Sequence, residues 1–450
     1  MNAIADMKTQ LAEGLLSEPA APEAEWAKTF RAEARARFLA LGAPVKRDEY
    51  WRYTDPAALT RPMGAAPAAA APAARGGVFA GEAPALDALA EAEADPAEGA
   101  LEPLHLTFVN GRLTPELSDA MTLDGVEILS LADAMAAPAA RPLGRLESKG
   151  QAPVARPLAA LNGALATDGL VMRVTGAPAR PIHLRYLGSG AGAAHLRHVV
   201  EIAAGASLTL LESGMGAGER FNTVLEVALA EDATFHHVRS QTEAGAEAQI
   251  VTAIFAELKA RAAFRSFTLR AASPQGRATA RNEAMLWLEG DACSAHIAGA
   301  VLGADKAVAD NTVFLTHDGV DCESRQVFKT VLADDASGVF QGKILVKQGA
   351  QKTDGYQISQ SLLLSDGAEF NAKPELEIYA DDVKCSHGST TGAVDETSLF
   401  YLRARGVEEA VAQAMLVQAF VDEAIDEIED PALQALMRRE VVGWMRGRAR

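Results

Sequence analysis

The sequence predicts a mainly β fold, a solenoid of stacked coils flanked by N-terminal and C-terminal α-helical regions. Three observations predict it. Between residues 180 and 385, apolar and polar residues alternate with period two, as strands do. In the same stretch a turn, an alanine and an alternating run recur, in GASLTLLES, DATFHHVRS, AAFRSFTLR, DACSAHIAG, DASGVFQGK and GAEFNAKPE. The alanines are Ala206, Ala233, Ala263, Ala292, Ala336 and Ala368, spaced by 27, 30, 29, 44 and 32 residues. A period near 30 without intervening helices is that of a β-solenoid, whose coils bury their apolar faces only by stacking. The 44-residue step leaves room for an extra half-turn or loop. Beyond the array the period changes to 3.6. An antiparallel sandwich is the competing reading, but Asn-Gly hairpin turns are scarce: VNGRL and LNGAL, at Asn110-Gly111 and Asn162-Gly163, both precede the array.

The elements follow in order, with expected divisions at 1–100, 101–390 and 391–450. In AEWAKTFRAEARARFLALG, Trp26, Phe30 and Phe38 share one helical face and Gly42 ends the helix. DEYWRYTDP gathers Tyr50, Trp51 and Tyr53, read as a packing anchor. Residues 61–77 are an Ala/Pro/Gly linker. From about 100 to 180 the pattern is mixed, with alternating runs LHLTFVN and LVMRVTG. After the β array, DETSLFYLRARG reads as a short helix closed by Gly406. The next helix places Val417, Phe420, Val421, Ala424 and Ile428 on one face and breaks at Pro431. ALQALMRREVVGWMRG forms the last. These helices are expected to cover the open end of the solenoid, to offer a docking face, or both.

Composition narrows the function. The chain has 450 residues and a net charge of −18, from 42 basic and 60 acidic residues. Nucleic-acid binding needs clustered cations, and the one basic cluster, Arg438 to Arg450, reads as a solvated helix end. Three cysteines, Cys293, Cys322 and Cys385, make no disulfide framework. The N-terminus carries acids where a signal peptide is apolar, and no run reaches the length of a membrane span. The expectation is a cytoplasmic protein without membrane or nucleic-acid partners. A Walker-type phosphate loop is absent, and the glycine-rich GSGAGAAH is followed by no helix.

The chemistry-bearing stretch is YADDVKCSHGSTTG, Tyr379 to Gly392. On a strand, Cys385 and His387 face one side, their Cα atoms about 6.6 Å apart. Thiolate and imidazole suit one soft or borderline metal centre, but two ligands do not close a site, so further ligands would come from other coils or another subunit. A Cys–His nucleophile without an orienting third group, or a plain structural pair, are the other readings. The remaining histidines read as structural: His236 and His237 face opposite sides of a strand, HLRH (His195 to His198) reads as a surface strand, Cys293 and His296 do not share a strand face, and His317 and Cys322 flank the THDGVDCES turn.

PELEIYADDVKCSHGSTTG and LFYLRARGVEEAVAQAMLVQAF resemble the SufB/SufD family of the SUF iron–sulfur cluster assembly machinery, densely over residues 373–422. The YADDVKCSHG run is similar to the SufD branch rather than to SufB. The resemblance extends more loosely through VFQGKILVKQGAQKTDGYQISQSLLLSD and to EYWRYTD. It implies a right-handed parallel β-helix, and a non-enzymatic scaffold subunit in a complex of SufB, SufD and two copies of the ATPase SufC. SufB would pair through the C-terminal end of the β-helix. SufC would dock on the C-terminal helices, at Phe400, Tyr401, Arg403, Arg405, Gly406 and Phe420. By the same resemblance His387, with Cys385 beside it, would contact a nascent iron–sulfur cluster shared with SufB. It further implies a part in iron acquisition, a homodimer for the isolated chain, and a flavin in the complex, for which this sequence has no motif. A β-helix polysaccharide-processing enzyme is the alternative of another class, disfavoured by few aromatics and no export signal; an inert structural scaffold is the third.

Overall fold

The computed structural model describes residues 2–16, 24–61, 101–166, 168–188, 192–214, 220–242, 247–272 and 276–448. The linker at 61–77 lies, apart from Arg61, outside them. Among the described residues nineteen strands form two sheets, and from β4 onward successive strands enter the two sheets alternately. The first sheet holds β3 (Val126–Ser130), β4 (Asp168–Val174), β6 (Ala193–Ile202), β8 (Arg220–Leu229), β10 (Gln249–Leu258), β12 (Thr279–Leu288), β14 (Val308–His317), β16 (Ser337–Val346) and β18 (Glu369–Ile378). The second holds β1 (Leu104–Val109), β2 (Arg112–Leu113), β5 (Ile182–Leu187), β7 (Ser207–Ser213), β9 (Thr234–Thr242), β11 (Ala263–Ala271), β13 (Ser294–Gly303), β15 (Glu323–Leu332), β17 (Asp354–Leu363) and β19 (Lys384–Ala393). From β4 onward each strand pairs in parallel with the strand two places on, in unbroken register, as Gln249–Thr279 to Leu258–Leu288 illustrates. This is a parallel β-solenoid with two strands per coil.

The period read from the alanines is the coil, seen through two different corners. Ala206, Ala233, Ala262, Cys293, Cys322 and Thr353 each immediately precede a strand of the second sheet, or stand one residue from its start. Ala278, Ala307, Ala336 and Ala368 do the same for the first sheet. The 44-residue step runs from one corner to the other, and so contains the extra half-turn. Just before the first of these columns, Gly205, Asp232, Arg261, Ala292, Asp321 and Lys352 all have positive φ. Five of these six are not glycine, a costly conformation for them. Each N–H bonds to a carbonyl of the next turn, from Gly205 to Glu231 through Lys352 to Asp382, which extends the ladder around the corner and holds the strained residues.

Inside the coils sits a long apolar core running from Leu104 to Phe340. Both outer faces are also covered. The N-terminal helices, Glu25–Leu41 and Pro157–Leu165 among them, lie against the first sheet. The EYWRYTD stretch anchors them: the Arg281 guanidinium lies 4.0 Å from the Trp51 ring centre, Tyr50 packs edge-on to Phe314, and Thr54 Oγ1 donates to Asp310 Oδ2 at 2.5 Å. Helices Glu409–Ile425 and Pro431–Arg448 cover the second sheet, where Val417, Val421, Met437 and Trp444 meet Phe267, Ala300 and Val331. They therefore lie along the side of the solenoid and do not cap its end. Two-sided burial also corrects two sequence expectations. HLRH is not a surface strand, since His195 is 6% and His198 0% exposed. Asn162-Gly163 is no hairpin turn but lies inside the helix Pro157–Leu165. Asn110-Gly111, with φ of 50° and 75°, does turn β1 into β2.

Candidate functional site

The two ends of the solenoid differ. At the first, β3 pairs antiparallel to β4 and the two-residue β2 pairs antiparallel to β1, so the parallel stack is closed off. At the last, β18 pairs only with β16 and β19 only with β17 among the described residues. Their far edges carry unpaired backbone donors and acceptors, the feature by which strands recruit further strands. Most of the residues of β19 are exposed.

Register places the side chains at this mouth. In β17 Gly355, Gln357, Ser359 and Ser361 face inward, and their partners in β19 are Cys385, His387, Ser389 and Thr391. The sequence reading that Cys385 and His387 share a face therefore holds, and that face is the interior of the last coil. Ser359 Oγ lies 3.2 Å from Ser389 Oγ, and Ser361 Oγ 3.0 Å from Thr391 Oγ1. One coil below His387, Gln357 Nε2 donates to Gln326 Oε1 at 3.0 Å, while Gln357 Oε1 is buried without a hydrogen-bond partner. The imidazole stands exposed above it. Cys385 is half-buried against Ile344, Val346 and Ala350. Gly355 makes room for it, as a Cβ there would come within 3.2 Å of the sulfur. Burial pushes the Cys385 thiol up, with a hydrogen bond donated by the Gly355 backbone N–H opposing it. The thiol is thus held protonated and is a poor nucleophile unless a metal displaces the proton. Among the described residues no three His, Cys, Asp or Glu side chains gather to hold a metal ion. The mouth presents one thiol and one imidazole, groups of the kinds that bind soft or borderline metals.

The other residues singled out follow β19 in the chain. The short helix Glu396–Arg403 buries none of its residues. Phe400 and Tyr401 are 73% and 55% exposed, and Arg405 stacks on Tyr401, 3.3 Å from its ring centre. Arg403 pairs with Glu409 at 3.1 Å, and Gly406 takes a φ of 87° to end the segment. Phe420 differs: it packs toward the second sheet beneath Lys329, 4.8 Å from its ring centre.

A family description favours the iron–sulfur reading. Residues 186–420, more than half of the chain, match the SUF system FeS cluster assembly, SufBD core domain. The chain belongs to the SufBD family. The iron–sulfur cluster assembly protein SufD of Escherichia coli (strain K12) is 30% identical over 457 residues, covering 95% of this chain and 97% of that protein. The iron–sulfur cluster assembly SufBD family protein slr0076 of Synechocystis sp. is 33% identical over 48% of this chain and 47% of its own length. Protein ABCI7, chloroplastic, of Arabidopsis thaliana is 29% identical over 59% and 58%. Membership supports a role for this SufBD chain in iron–sulfur cluster assembly. No helix among the described residues is long and apolar enough to cross a membrane.

Sequence reasoning missed two groupings in this SufBD chain. Inside the solenoid the Glu212 carboxylate accepts from Tyr186 Oη and His237 Nε2, both at 2.7 Å, and from the Arg239 guanidinium. Burial opposes its charge, but Arg239 and then His237 hold the carboxyl well below the usual range. Strand alternation does identify 235, 237 and 239 as one face, yet nothing in the pattern marks that face as inward. The second grouping is Cys293, Cys322 and His317. Its signal was the 29-residue spacing of the two cysteines, one coil.

Proposed function

We propose that this chain is a non-enzymatic scaffold subunit of a cytoplasmic SUF complex. It pairs through the open end of its solenoid with SufB and, beside that seam, presents its C-terminal helical region to the ATPase SufC. The observation that carries this reading is the last coil, unpaired along both far edges, with an inward imidazole at its mouth and too few ligands to bind a metal alone. A second solenoid end stacked on β18 and β19 completes both the ladder and the ligand set. His387 is then a ligand to a nascent iron–sulfur cluster, which is the cargo of the complex. Cys385, held protonated by its surroundings, is the lesser contributor. The relatives named as assembly proteins support a scaffold rather than a catalyst.

The exposed Phe400 and Tyr401, with Arg403 and Arg405 beside them, form an aromatic and cationic patch suited to an ATPase surface. Phe420 links that patch to the solenoid through its contact with Lys329. Nucleotide-driven movement of the docked helices would shift the seam and admit iron and sulfide, which is the chain's part in iron acquisition. Coexpression with SufB and SufC, intact-mass measurement and anaerobic reconstitution test the reading. The expected result is an assembly containing all three chains, whose cluster absorbance falls at least tenfold on His387→Ala. Unchanged cluster formation in that variant would leave an inert scaffold.

A further inference from the structure

Cys293 and Cys322 occupy the same corner of consecutive coils. Ser294 and Glu323, which follow them, are register partners, and Glu323 N donates to Cys293 O at 2.9 Å. In-register parallel strands lie about 4.8 Å apart, inside the roughly 4.4–6.8 Å Cα separation of disulfides. The sulfurs turn toward one point: Cys293 Sγ lies 3.1 Å and Cys322 Sγ 3.2 Å from the same carbonyl oxygen, that of Gly290. Both are 1% exposed, but the turns above them, Asp291-Ala292 and Val320-Asp321, are on the surface, so one layer of chain separates the pair from solvent. Neighbouring coils fill this column with Ala206, Ala233 and Ala262, so packing alone does not require sulfur.

The third group is His317, the last residue of β14. Its Nε2 is 2.8 Å from Ser324 Oγ, and its Nδ1 is fully buried with no hydrogen-bond partner. The ring lies beside Cys322. Contact with the Cys293 thiol, and then with His317, pulls the Cys322 thiol down, while the same thiol–thiol contact and burial push Cys293 up. One sulfur is thus readied as a thiolate and the other kept as a thiol, with a proton acceptor at hand.

We propose that Cys322, Cys293 and His317 form a peroxide-reactive thiol site that closes a reversible disulfide between adjacent coils. The Cys322 thiolate attacks a peroxide oxygen; an S–O bond forms, the O–O bond breaks, and the departing oxygen takes up the proton held by His317. The Cys293 sulfur then attacks the sulfenic sulfur. The S–S bond forms, the S–O bond breaks, and hydroxide leaves as water with the Cys293 proton. The two thiols lose two electrons, and hydrogen peroxide becomes two waters. The closed bridge ties two coils of the middle of the stack, where the C-terminal helices lie.

The test treats the full chain with hydrogen peroxide, alkylates the remaining thiols and maps peptides by mass spectrometry. The expected product is a 293–322 cross-linked peptide, lighter by two hydrogens and reversed by dithiothreitol, with Cys385 still alkylatable. Cys293→Ser is expected to stop at a Cys322 sulfenic acid trapped by dimedone, and Cys322→Ser to leave Cys293 as a thiol. His317→Gln is expected to slow Cys322 oxidation about tenfold. Because serine and glutamine fit these volumes, circular dichroism of each variant checks that the fold is retained. Cys293 and Cys322 both staying reduced at a peroxide dose that oxidises Cys385, or an unchanged rate in a folded His317→Gln, would overturn the proposal.

Discussion

The first and last coils are built from the same kind of strand, yet one end is finished and the other is not. In β4, Leu170 and Met172 are fully buried beneath antiparallel β3. In β18, no residue is buried, and β19 beside it faces solvent along most of its length. Two things make this difference: a further strand of the same chain closes the ladder at one end only, and the inward residues are apolar in β4 but Cys385, His387, Ser389 and Thr391 in β19. A solenoid end left open in this way keeps its backbone donors and acceptors free for a further strand, which is what the proposed pairing uses.

Hydrogen exchange gives the largest expected contrast. Amides of β18 and β19 in the isolated chain should exchange several orders of magnitude faster than those of β8 and β10, because local opening there exposes little buried surface. Mass spectrometry of exchanged peptides would read it. Equal protection at low protein concentration would break the comparison, while protection that appears only on adding SufB would sharpen it.

Core truncation gives the next effect. Leu170→Ala at the closed end should cost about 2–5 kcal/mol, the usual range for a fully buried leucine. Leu376→Ala, half-buried in the last coil, should cost under about 1.5 kcal/mol alone and more once the partner is bound. Denaturant unfolding of each variant measures both. Equal losses in the isolated chain would mean the last coil is as well packed as the first.

The period of the coil, the single face shared by Cys385 and His387 and the helical flanks were legible because they rest on local rules: alternation, turn chemistry and the 3.6-residue stripe; that this face is the inward one was not. The two-cornered origin of the 44-residue step was half legible, since both corners use alanine. What could not be read was long-range. HLRH looks like a surface strand because alternation reports a difference between two faces, and here both faces are buried. The placing of the C-terminal helices along the second sheet depends on a cluster in which Val417 and Val421 join side chains from six strands, β7 to β17 of that sheet. The meeting of Cys322 with His317 required knowing that the THDGVDCES turn folds back on itself.

The smallest expected effect concerns the helical flank, and it separates a loss of stability at raised pH from both ends. Burial pushes the Glu440 carboxyl up to about 7, against about 4.3 in the unfolded chain. Between those values the folded chain holds a proton the unfolded chain has released, so stability falls as pH rises and the loss is complete above about pH 7. Glu440→Gln should match the parent near pH 4 and exceed it by about 1 kcal/mol at pH 8, after allowance for solvent screening. Thermal melts at the two pH values would register it, and a difference independent of pH would place the cause elsewhere.

The positive-φ corner residues, each tied to the turn above, give the molecule a fixed thread. Removing residues 294–322, one whole coil between register partners, would leave every remaining strand in phase and bring the mouth about 4.8 Å nearer the base. The coils span 27 residues from Ser207 to Thr234 and 31 from Glu323 to Asp354, so the corners absorb small differences in length while the strands keep their register. Height along the stack therefore changes only in whole turns of the screw, whatever the corners hold, and the distance from the foundation to His387 is a counted quantity.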